Sequence, residues 1–272
     1  MGQQEANGLE SDAEAIRRIV LEQSFRAGVG HIGSALSIAD IVAALLGSFE
    51  SIASTDDPDR DRLVLSKGHA ALALYAGLAN RGLISAEQLD TFCGDGTELG
   101  VHPEPNLAGI DFGTGSLGHG LSLAAGAALG AKWQGSRRRA FAILSDAEVN
   151  EGSTWEAAMF AAHHRLGNLG AIVDLNGQQA LGYTEDVLNL PRLNQAWAAL
   201  GWRVVEIDGH DAVALASGFH EVGEGEAPVL FLARTTFGKG VSFMESKIEW
   251  HYRPLTDDLY AEALAELREA AA

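Results

Sequence analysis

Short apolar runs alternate with segments of helical periodicity along most of this chain. The runs at residues 141–144 and 171–173 contain no polar side chain, which is typical of strands buried on both faces of a parallel sheet. Residues 153–166 lie between them and have helical character, so the three segments form a predicted βαβ unit. Further strands are predicted at residues 62–65, 202–207 and 229–234. This alternation predicts an α/β fold with a mostly parallel sheet and helices on both faces.

Capping signals place the predicted helices. Ser11 and Glu14 have the spacing of a capping box, which predicts a helix from residue 11 to about residue 27, after a disordered segment at residues 1–10. Ser37 and Ser85 could each cap a following helix. Other helices are predicted to end at residue 82 and to span residues 118–133, 212–221 and 257–270. Because no repeat or linker interrupts the pattern, residues 11–272 are predicted to form a single domain.

The longest aperiodic segment, residues 94–115, is rich in Gly, Pro and Asn. A loop of this length inside a compact domain is uncommon unless it is functional. The sequence GTGSLG at residues 113–118 precedes a predicted helix, so its backbone N–H groups could face an anion. A tight loop that only packs against the helix is the alternative.

Each strand of the βαβ unit is followed by a side chain that can hold a hard cation, Asp146 after the first strand and Asn176 after the second. Parallel topology brings the two strand ends together, and ligands of open parallel sheets bind outside the carboxyl ends of strands. A carboxylate and an amide oxygen there suit Mg²⁺ or Ca²⁺ that also bridges a diphosphate. Asp146 taken alone would also fit as the N-cap of the following helix.

Net charge, the N-terminal sequence and the cysteine count restrict the kinds of binding partner and cellular compartment that are expected. The net charge of −18 argues against a nucleic-acid surface, and the short cluster at residues 137–139 is interpreted as a solvated turn. The N-terminus lacks the basic start and apolar centre of a signal peptide, and the apolar runs are too short or too interrupted to span a bilayer. Cys93 is the only cysteine, so no internal disulfide is possible. A cytoplasmic protein is expected.

Six segments carry a more specific pattern. They are GHIGSALSIADIVAALL from Gly30, LSKGHAALALYAGLANRG from Leu65, GVHPE from Gly100, GTGSLGHGLSLAAGAALG from Gly113, the acidic turn SDAEVNEG with the later Asn176, and GKGVSFME followed by WH from Gly238. In this order they resemble the amino-terminal half of transketolase and cover nearly the whole chain. The resemblance implies a thiamine diphosphate-binding domain of the diphosphate type.

The resemblance also implies a ligand set. Side-chain oxygens of Asp146 and Asn176 and the backbone carbonyl of Gln178 would bind Mg²⁺ or Ca²⁺, which in turn holds the diphosphate. The family has glycine on both sides of the aspartate, whereas this chain has Ser145 and Ala147; alanine is tolerated there if its φ is negative. Glu151 could orient the turn by hydrogen bonds. The full set of implied cofactor contacts is His69, Gly115, Leu117, Asp146, Ala147, Glu151, Asn176 and His251.

Four histidines are the candidate catalytic residues: His31, His69, His102 and His251. They lie next to glycines or at element ends, and the resemblance implies that they line the substrate channel, with His69 also near the diphosphate. Imidazoles can exchange protons with substrate hydroxyls near neutral pH. The mid-helix pair His163 and His164 is interpreted as packing or surface, and His119 is assigned no role.

The implied activity is transfer of a two-carbon ketol group from a ketose or ketose phosphate to an aldose-type acceptor. In the family, the glutamate that activates the cofactor comes from a second, pyrimidine-binding domain, and the sequence after Trp250 and His251 has room for only one short helix. A separate partner chain is therefore expected, in an α₂β₂ heterotetramer. The alternatives are a related enzyme acting on a 2-oxo acid or a modified sugar, and a non-catalytic regulatory subunit.

Overall fold

The computed structural model of this protein describes residues 3–49 and 57–270. Its main sheet has five strands, β1 Arg62–Leu65, β2 Ala140–Ser145, β3 Leu169–Leu175, β6 Arg203–Asp208 and β7 Val229–Arg234. The order across the sheet is β1-β2-β3-β7-β6, and every neighbouring pair is parallel. Two short strands, β4 Gln178–Gln179 and β5 Gly182–Tyr183, pair as a separate antiparallel hairpin. The predicted α/β fold with a parallel sheet is confirmed.

Helices cover both faces of this sheet. Their bounds are α1 Gln3–Ala27, α2 Ile32–Ser37, α3 Ala39–Ser48, α4 Ala71–Asn80, α5 Ala86–Leu89, α6 Gly120–Gln134, α7 Gly152–His163, α8 Thr184–Val187, α9 Leu193–Ala199, α10 Ala212–His220 and α11 Asp257–Ala270. Single turns of 3₁₀ helix at Gly68–Ala70, Glu148–Asn150 and Ile248–His251 connect some of them. Among the described residues, no helix is both long enough and apolar enough to cross a membrane.

Two separate cores explain why the central strands are apolar except near their carboxyl ends. Phe141 and Ile143 of β2 pack into a core shared with α1, α3, α4 and α10. Ala142 and Leu144, which point to the opposite face, pack into a second core shared with α6, α7 and α9. Successive side chains of a strand face opposite sides, so a strand covered on both sides reads as a continuous apolar run.

The prediction for the N-terminus is wrong for residues 3–10; residues 1 and 2 lie outside the described residues. The sequence predicts disorder there, but α1 begins at Gln3, and Ser11 is an exposed mid-helix residue rather than a cap. The cause is Leu9, which is buried and continues the helical apolar stripe of Ala13 and Ile16. Leu9 packs so closely on α3 that a Cβ added to Gly47 would lie 2.4 Å from its Cδ2.

Ser37 is the last residue of α2 and does not cap α3, contrary to prediction. Its hydroxyl has one proton, which is shared between the carbonyl of Ser34 at 3.0 Å and Oδ2 of Asp174 at 2.8 Å. A buried carboxylate from a strand distant in sequence therefore competes successfully with local capping. Ser85, by contrast, does cap α5, in a capping box with Gln88.

Most other elements lie where the sequence placed them. The bounds of β1, β7 and α11 agree with the prediction, and the βαβ unit agrees within about three residues at each end. The sequence pattern missed α8, α9 and the β4–β5 hairpin, because these pieces are too short to show a period. The hairpin matters most, since it forms one wall of the pocket described next.

Candidate active site

A pocket of about 620 Å³ opens at the carboxyl ends of β1, β2 and β3. Parallel strands place their carboxyl ends at one edge, where ligands of such sheets usually bind. Of the predicted site residues, the following line the pocket: His31, His69, His102, Gly115, Leu117, Ala147, Glu151, Asn176, Gln178 and His251. Asp146 lies behind this wall and borders a smaller neighbouring pocket that shares Leu188 with the first. The fold thus brings residues from distant parts of the sequence to one place.

Three of the four candidate histidines form a compact triangle. The ring centroids of His31 and His69 are 5.3 Å apart, those of His31 and His251 are 5.2 Å apart, and those of His69 and His251 are 5.5 Å apart. His102 also lines the pocket and lies against Gly115, where an added Cβ would come within 3.2 Å of the imidazole. All four rings therefore line one pocket.

His31 occupies a backbone conformation that is uncommon for a non-glycine residue. It lies immediately before α2 with φ 63° and ψ 15°, in the left-handed region. Its backbone N–H donates to the carbonyl of His251 at 2.9 Å, which ties the start of α2 to the segment before α11. Strained conformations of this kind persist where the surrounding structure holds them, often at functional sites. Here the strain aims the imidazole into the pocket.

The imidazoles of the triangle are held neutral. Burial lowers the pKa of His251 to about 4, with smaller contributions from His31 and the Lys67 ammonium. Burial also lowers the pKa of His69 well below its usual range, and Lys67 adds to this effect. The pKa of His31 is lowered by burial and then by its neighbours His102 and Lys67. Neutral imidazoles can both donate and accept hydrogen bonds, which suits contact with sugar hydroxyls.

Asp146 has one oxygen engaged and one oxygen without a partner. Oδ2 accepts hydrogen bonds from the backbone N–H of Gly177 at 2.9 Å and from the Thr184 hydroxyl at 2.8 Å. Oδ1 is buried and makes no hydrogen bond within the described residues. Burial, with a smaller contribution from the nearby Asp174, raises the pKa of this carboxyl to about 7. A buried carboxylate oxygen without a partner is what a cation-binding site would provide.

Asn176 is oriented by its own neighbours. Its Nδ2 donates to Oδ2 of Asp174 at 2.8 Å, and its Oδ1 accepts from the backbone N–H of Gln178 at 2.9 Å. Both polar atoms of the Gln178 side chain are buried without a partner. The oxygens of Asp146, Asn176 and the Gln178 backbone are of the hard type that Mg²⁺ and Ca²⁺ prefer, so the residue types fit such a cation. No group of three or more His, Cys, Asp or Glu side chains among residues 3–49 and 57–270 could hold a metal ion.

A buried ion pair that the sequence patterns did not predict forms the floor of the pocket. Nζ of Lys67 lies 2.5 Å from Oδ2 of Asp174, and both side chains are fully buried. Asp174 also accepts hydrogen bonds from Ser37, Asn176 and Thr235. The available signal was a charged residue at the end of each of two apolar strands, because buried charges need partners. This pair holds the candidate metal ligand Asn176 in place and supplies the positive charge that faces the histidines.

Glycine is required at two positions of the GTGSLG loop. Gly115 has φ 154° and Gly118 has φ 86°, a region that other residues rarely adopt. A Cβ on Gly118 would lie 2.6 Å from the Ser153 hydroxyl and 2.7 Å from the Glu151 Cβ, so the loop touches the start of α7. This close packing leaves Gly115 and Leu117 facing the pocket.

The turn after β2 has the negative φ that tolerates alanine at residue 147, but Glu151 does not make the expected hydrogen bonds. Ala147 has φ −63°, so alanine replaces glycine there without backbone strain. The exposed Glu151 precedes α7 without a side-chain cap, and its carboxylate makes no hydrogen bond to the described residues. It therefore does not orient the turn in this structure. Glu148 does so, as described below.

The three other histidines considered in the sequence, His119, His163 and His164, lie outside the pocket. His163 and His119 are exposed, and His164 is half-buried with its ring against Phe160, at a centroid distance of 4.3 Å. None of the three lines the pocket. For His163 and His164 these positions agree with the surface or packing interpretation.

Comparison with known proteins gives a consistent result. A family model described as transketolase, thiamine diphosphate binding domain, matches residues 10–269. The chain is 41% identical to the 6-deoxy-6-sulfo-D-fructose transketolase subunit SqwG of Clostridium sp. (strain MSTE9), over 97% of this chain and 98% of that protein. It is 38% identical to one of the subunits of the apulose-4-phosphate transketolase of Phocaeicola vulgatus, over 96% of this chain and 94% of that protein.

Solved structures agree with the sequence matches. The transketolase of Campylobacter jejuni superimposes with a TM-score of 0.90 at 29% sequence identity. The alignment covers 98% of this chain but 43% of that one. This chain therefore spans less than half the length of that solved transketolase.

Proposed function

Because the chain belongs to the family of transketolase thiamine diphosphate-binding domains, we propose that it is the N-terminal subunit of a two-component transketolase. It would transfer a two-carbon ketol group from a ketose or ketose phosphate donor to an aldose-type acceptor. The observation that carries the proposal is the meeting of four imidazoles with Asp146 and Asn176 at one edge of the sheet.

The residues of this chain would hold the diphosphate end of the cofactor. Asp146, Asn176 and the Gln178 carbonyl would bind Mg²⁺ or Ca²⁺, and the all-oxygen donor set with its unpartnered Asp146 oxygen supports this assignment. Gly115 and Leu117 line the pocket and would contact the cofactor. When bound, thiamine diphosphate supplies the carbanion chemistry, and the protein supplies orientation and electrostatics.

The histidines would handle the hydroxyl protons of the substrate. His31, His69 and His251 are neutral at pH 7 because burial and the Lys67 charge lower their pKa values. A neutral imidazole can accept a proton from a hydroxyl when the carbon–carbon bond breaks and can return it when the new bond forms. His31 and His251 line the pocket, and Nδ1 of each ring is buried without a hydrogen-bond partner in the part of the chain that the structure describes.

A partner chain would complete the site. Two of the similar proteins are named as subunits, and this chain spans 43% of the Campylobacter jejuni transketolase chain. The partner would carry the pyrimidine-binding domain and the glutamate that activates the cofactor, in an α₂β₂ assembly. Leu181 and Tyr252 line the pocket and are 86% and 62% exposed. Exposed apolar side chains at the pocket rim support the proposal that a partner chain covers them.

The test is a ketol-transfer assay with thiamine diphosphate, Mg²⁺ and ketose phosphates. The chain is assayed alone and after co-expression with a chain that carries a pyrimidine-binding domain. Activity in the pair, lost in the Asp146→Ala variant and absent from either chain alone, is the expected result. Activity of this chain alone would contradict the two-component proposal, and cofactor binding without transfer of any donor would favour a regulatory subunit.

A modified sugar is the second candidate donor. The 41% identical relative is named for a 6-deoxy-6-sulfo sugar, and the described residues lining the pocket include one cation, Lys67, which is already paired with Asp174. Groups that recognise an anionic donor end would then come from the partner chain. Parallel assays with sulfonated and phosphorylated ketoses and with 2-oxo acids identify the donor class by kcat/KM.

A further inference from the structure

Three loops form the cofactor-facing wall of the pocket, and they come from distant parts of the sequence. The first, residues 66–69, follows β1 and carries Lys67 and His69. The second, residues 113–118, carries Gly115 and Leu117. The third, residues 145–151, follows β2 and carries Ala147. A site assembled in this way needs something to fix the loops relative to one another.

Glu148, which lies in the third loop, makes hydrogen bonds to both other loops and to Ser145 at the end of β2. Its Oε1 accepts from the Ser66 hydroxyl at 2.5 Å and from the backbone N–H of Gly118 at 2.8 Å. Its Oε2 accepts from the backbone N–H of Ser145 at 3.1 Å. The side chain is fully buried and does not line the pocket, so it cannot itself contact a ligand there.

Ser66 extends the same connection. Its hydroxyl donates to Glu148 and accepts from the backbone N–H of Gly120 at 3.0 Å, which is the first residue of α6. A Cβ on Gly120 would lie 2.2 Å from the Ser66 hydroxyl oxygen, so there is no room for a water between the loop and the helix. The Ser66 hydroxyl therefore joins its loop to α6 directly, without an intervening water.

We propose that Glu148, together with Ser66, is a positioning residue that locks the three cofactor-facing loops into one arrangement. This inference deepens the proposed function and rests on it. Burying a carboxylate is costly unless its oxygens are hydrogen-bonded, and here the bonds join Glu148 to both other loops and to the end of β2. The arrangement places Lys67, His69, Gly115, Leu117 and Ala147 at fixed distances before a ligand arrives, which lowers the ordering cost of binding.

Amide exchange tests the positioning directly and without a cofactor. Hydrogen–deuterium exchange is measured on peptides covering residues 66–70, 113–120 and 145–151 in the wild type, Glu148→Gln and Ser66→Ala. Glutamine keeps the size of the side chain but turns one acceptor into a donor, so an N–H of Gly118 or Ser145 loses its partner. We expect roughly tenfold faster exchange in these peptides, because an unsatisfied buried donor favours local opening. Unchanged exchange in both variants would overturn the proposal.

Cofactor affinity provides the second readout. In the assembled pair, the Kd of thiamine diphosphate at saturating Mg²⁺ should rise roughly tenfold in Glu148→Gln and severalfold in Ser66→Ala. The double variant should lose less than the two single losses combined, because both side chains belong to one connection. Additive losses would overturn the linkage between them. If Glu148→Gln does not fold, Ser66→Ala alone decides the outcome.

Ser48→Ala is the matched control. Ser48 is also buried, and its hydroxyl donates to the Ala44 carbonyl at 2.7 Å, at the end of α3 and away from the pocket. This variant should lower Tm about as much as Ser66→Ala while leaving Kd and loop exchange unchanged. An equal rise of Kd in both serine variants would show a general loss of stability and would overturn the proposal. If the wild-type pair binds no thiamine diphosphate, the proposed function fails, whereas the exchange comparison still decides the positioning.

Discussion

Buried polar groups beneath the pocket have hydrogen-bond partners, whereas several of those in its walls have none among the described residues. The floor here means Lys67 and Asp174 together with the buried Glu148, which does not line the pocket. On the floor, Lys67, Glu148 and Asp174 are fully buried, and each has its hydrogen bonds or its ion pair satisfied within the chain. On the walls, Nδ1 of His31 and Nδ1 of His251 are buried without partners, as is Oδ1 of Asp146 behind them. Buried polar atoms are nearly always satisfied, so the exceptions need an explanation.

The difference distinguishes polar groups that stabilise the fold from polar groups that we assign to binding. The floor is complete without a ligand and keeps the strand ends and loops in place. At the walls, several donors and acceptors have no hydrogen-bond partner within the described residues. Stability should therefore depend on the floor, and binding should depend on the walls. The following predictions test that separation.

Breaking the floor should have the largest effect. Lys67→Met removes one partner of a fully buried ion pair and leaves the Asp174 charge uncompensated. We expect the free energy of unfolding to fall by about 3–5 kcal/mol. Urea denaturation followed by circular dichroism measures this change. Arg165→Ala is the control, because Arg165 and Glu226 form an exposed pair that should contribute less than about 1 kcal/mol. Equal losses in the two variants would contradict a special role for the floor.

Removing the wall carboxylate should affect binding rather than folding. Asp146→Ala deletes a candidate metal ligand, and we expect thiamine diphosphate affinity in Mg²⁺ to fall at least ~100-fold while the far-ultraviolet spectrum is retained. Asn176→Ala should have a similar effect. Isothermal titration of the assembled pair measures both.

Asp186→Ala is the control for these variants. Asp186 is an exposed acidic residue on α8, close in sequence to the β4–β5 hairpin, and its removal should leave the affinity unchanged. Wild-type affinity in Asp146→Ala would refute the metal-site assignment.

The buried imidazoles should make stability depend on pH. In the folded state the pKa of His251 is about 4, below its ordinary value of 6.5, so the unfolded state binds more protons between these pH values. Stability should therefore decrease as pH falls from about 6.5 to about 4, and His251→Asn should weaken this dependence. Urea midpoints across this pH range measure it. The exposed His163→Asn is the control, and identical pH profiles for His251→Asn and the wild type would contradict the prediction.

The smallest effect is expected at the turn after β2. Ala147 has a negative φ, so Ala147→Gly relieves no strain and should leave thiamine diphosphate affinity unchanged or slightly tighter. Added backbone freedom should lower the free energy of unfolding by no more than about 1 kcal/mol. Titration of the assembled pair and urea denaturation measure the two effects. A large loss of affinity would show that the alanine itself contributes to binding.

Much of the fold could be predicted because its signals are local. Apolar runs placed β1 and β7 at their observed bounds, and Ser85 begins a short helix, as predicted, by capping α5. Local signals failed where a distant group competed with them. Ser37 bonds to Asp174, 137 positions away, instead of capping α3, and Leu9 extends α1 by packing against α3. Short pieces such as β4 and β5 have no period to detect.

The sequence by itself determined the α/β class, the family and the set of candidate ligands, because apolar periodicity and the order of motifs are properties of the residue order alone. Tertiary structure decided which oxygens stay free, why the imidazoles are neutral, and that Glu148 rather than Glu151 connects the loops. These properties depend on burial and on partners from distant segments: hydrogen bonds and desolvation act between neighbours in space, and a sequence specifies such neighbours only once it is folded.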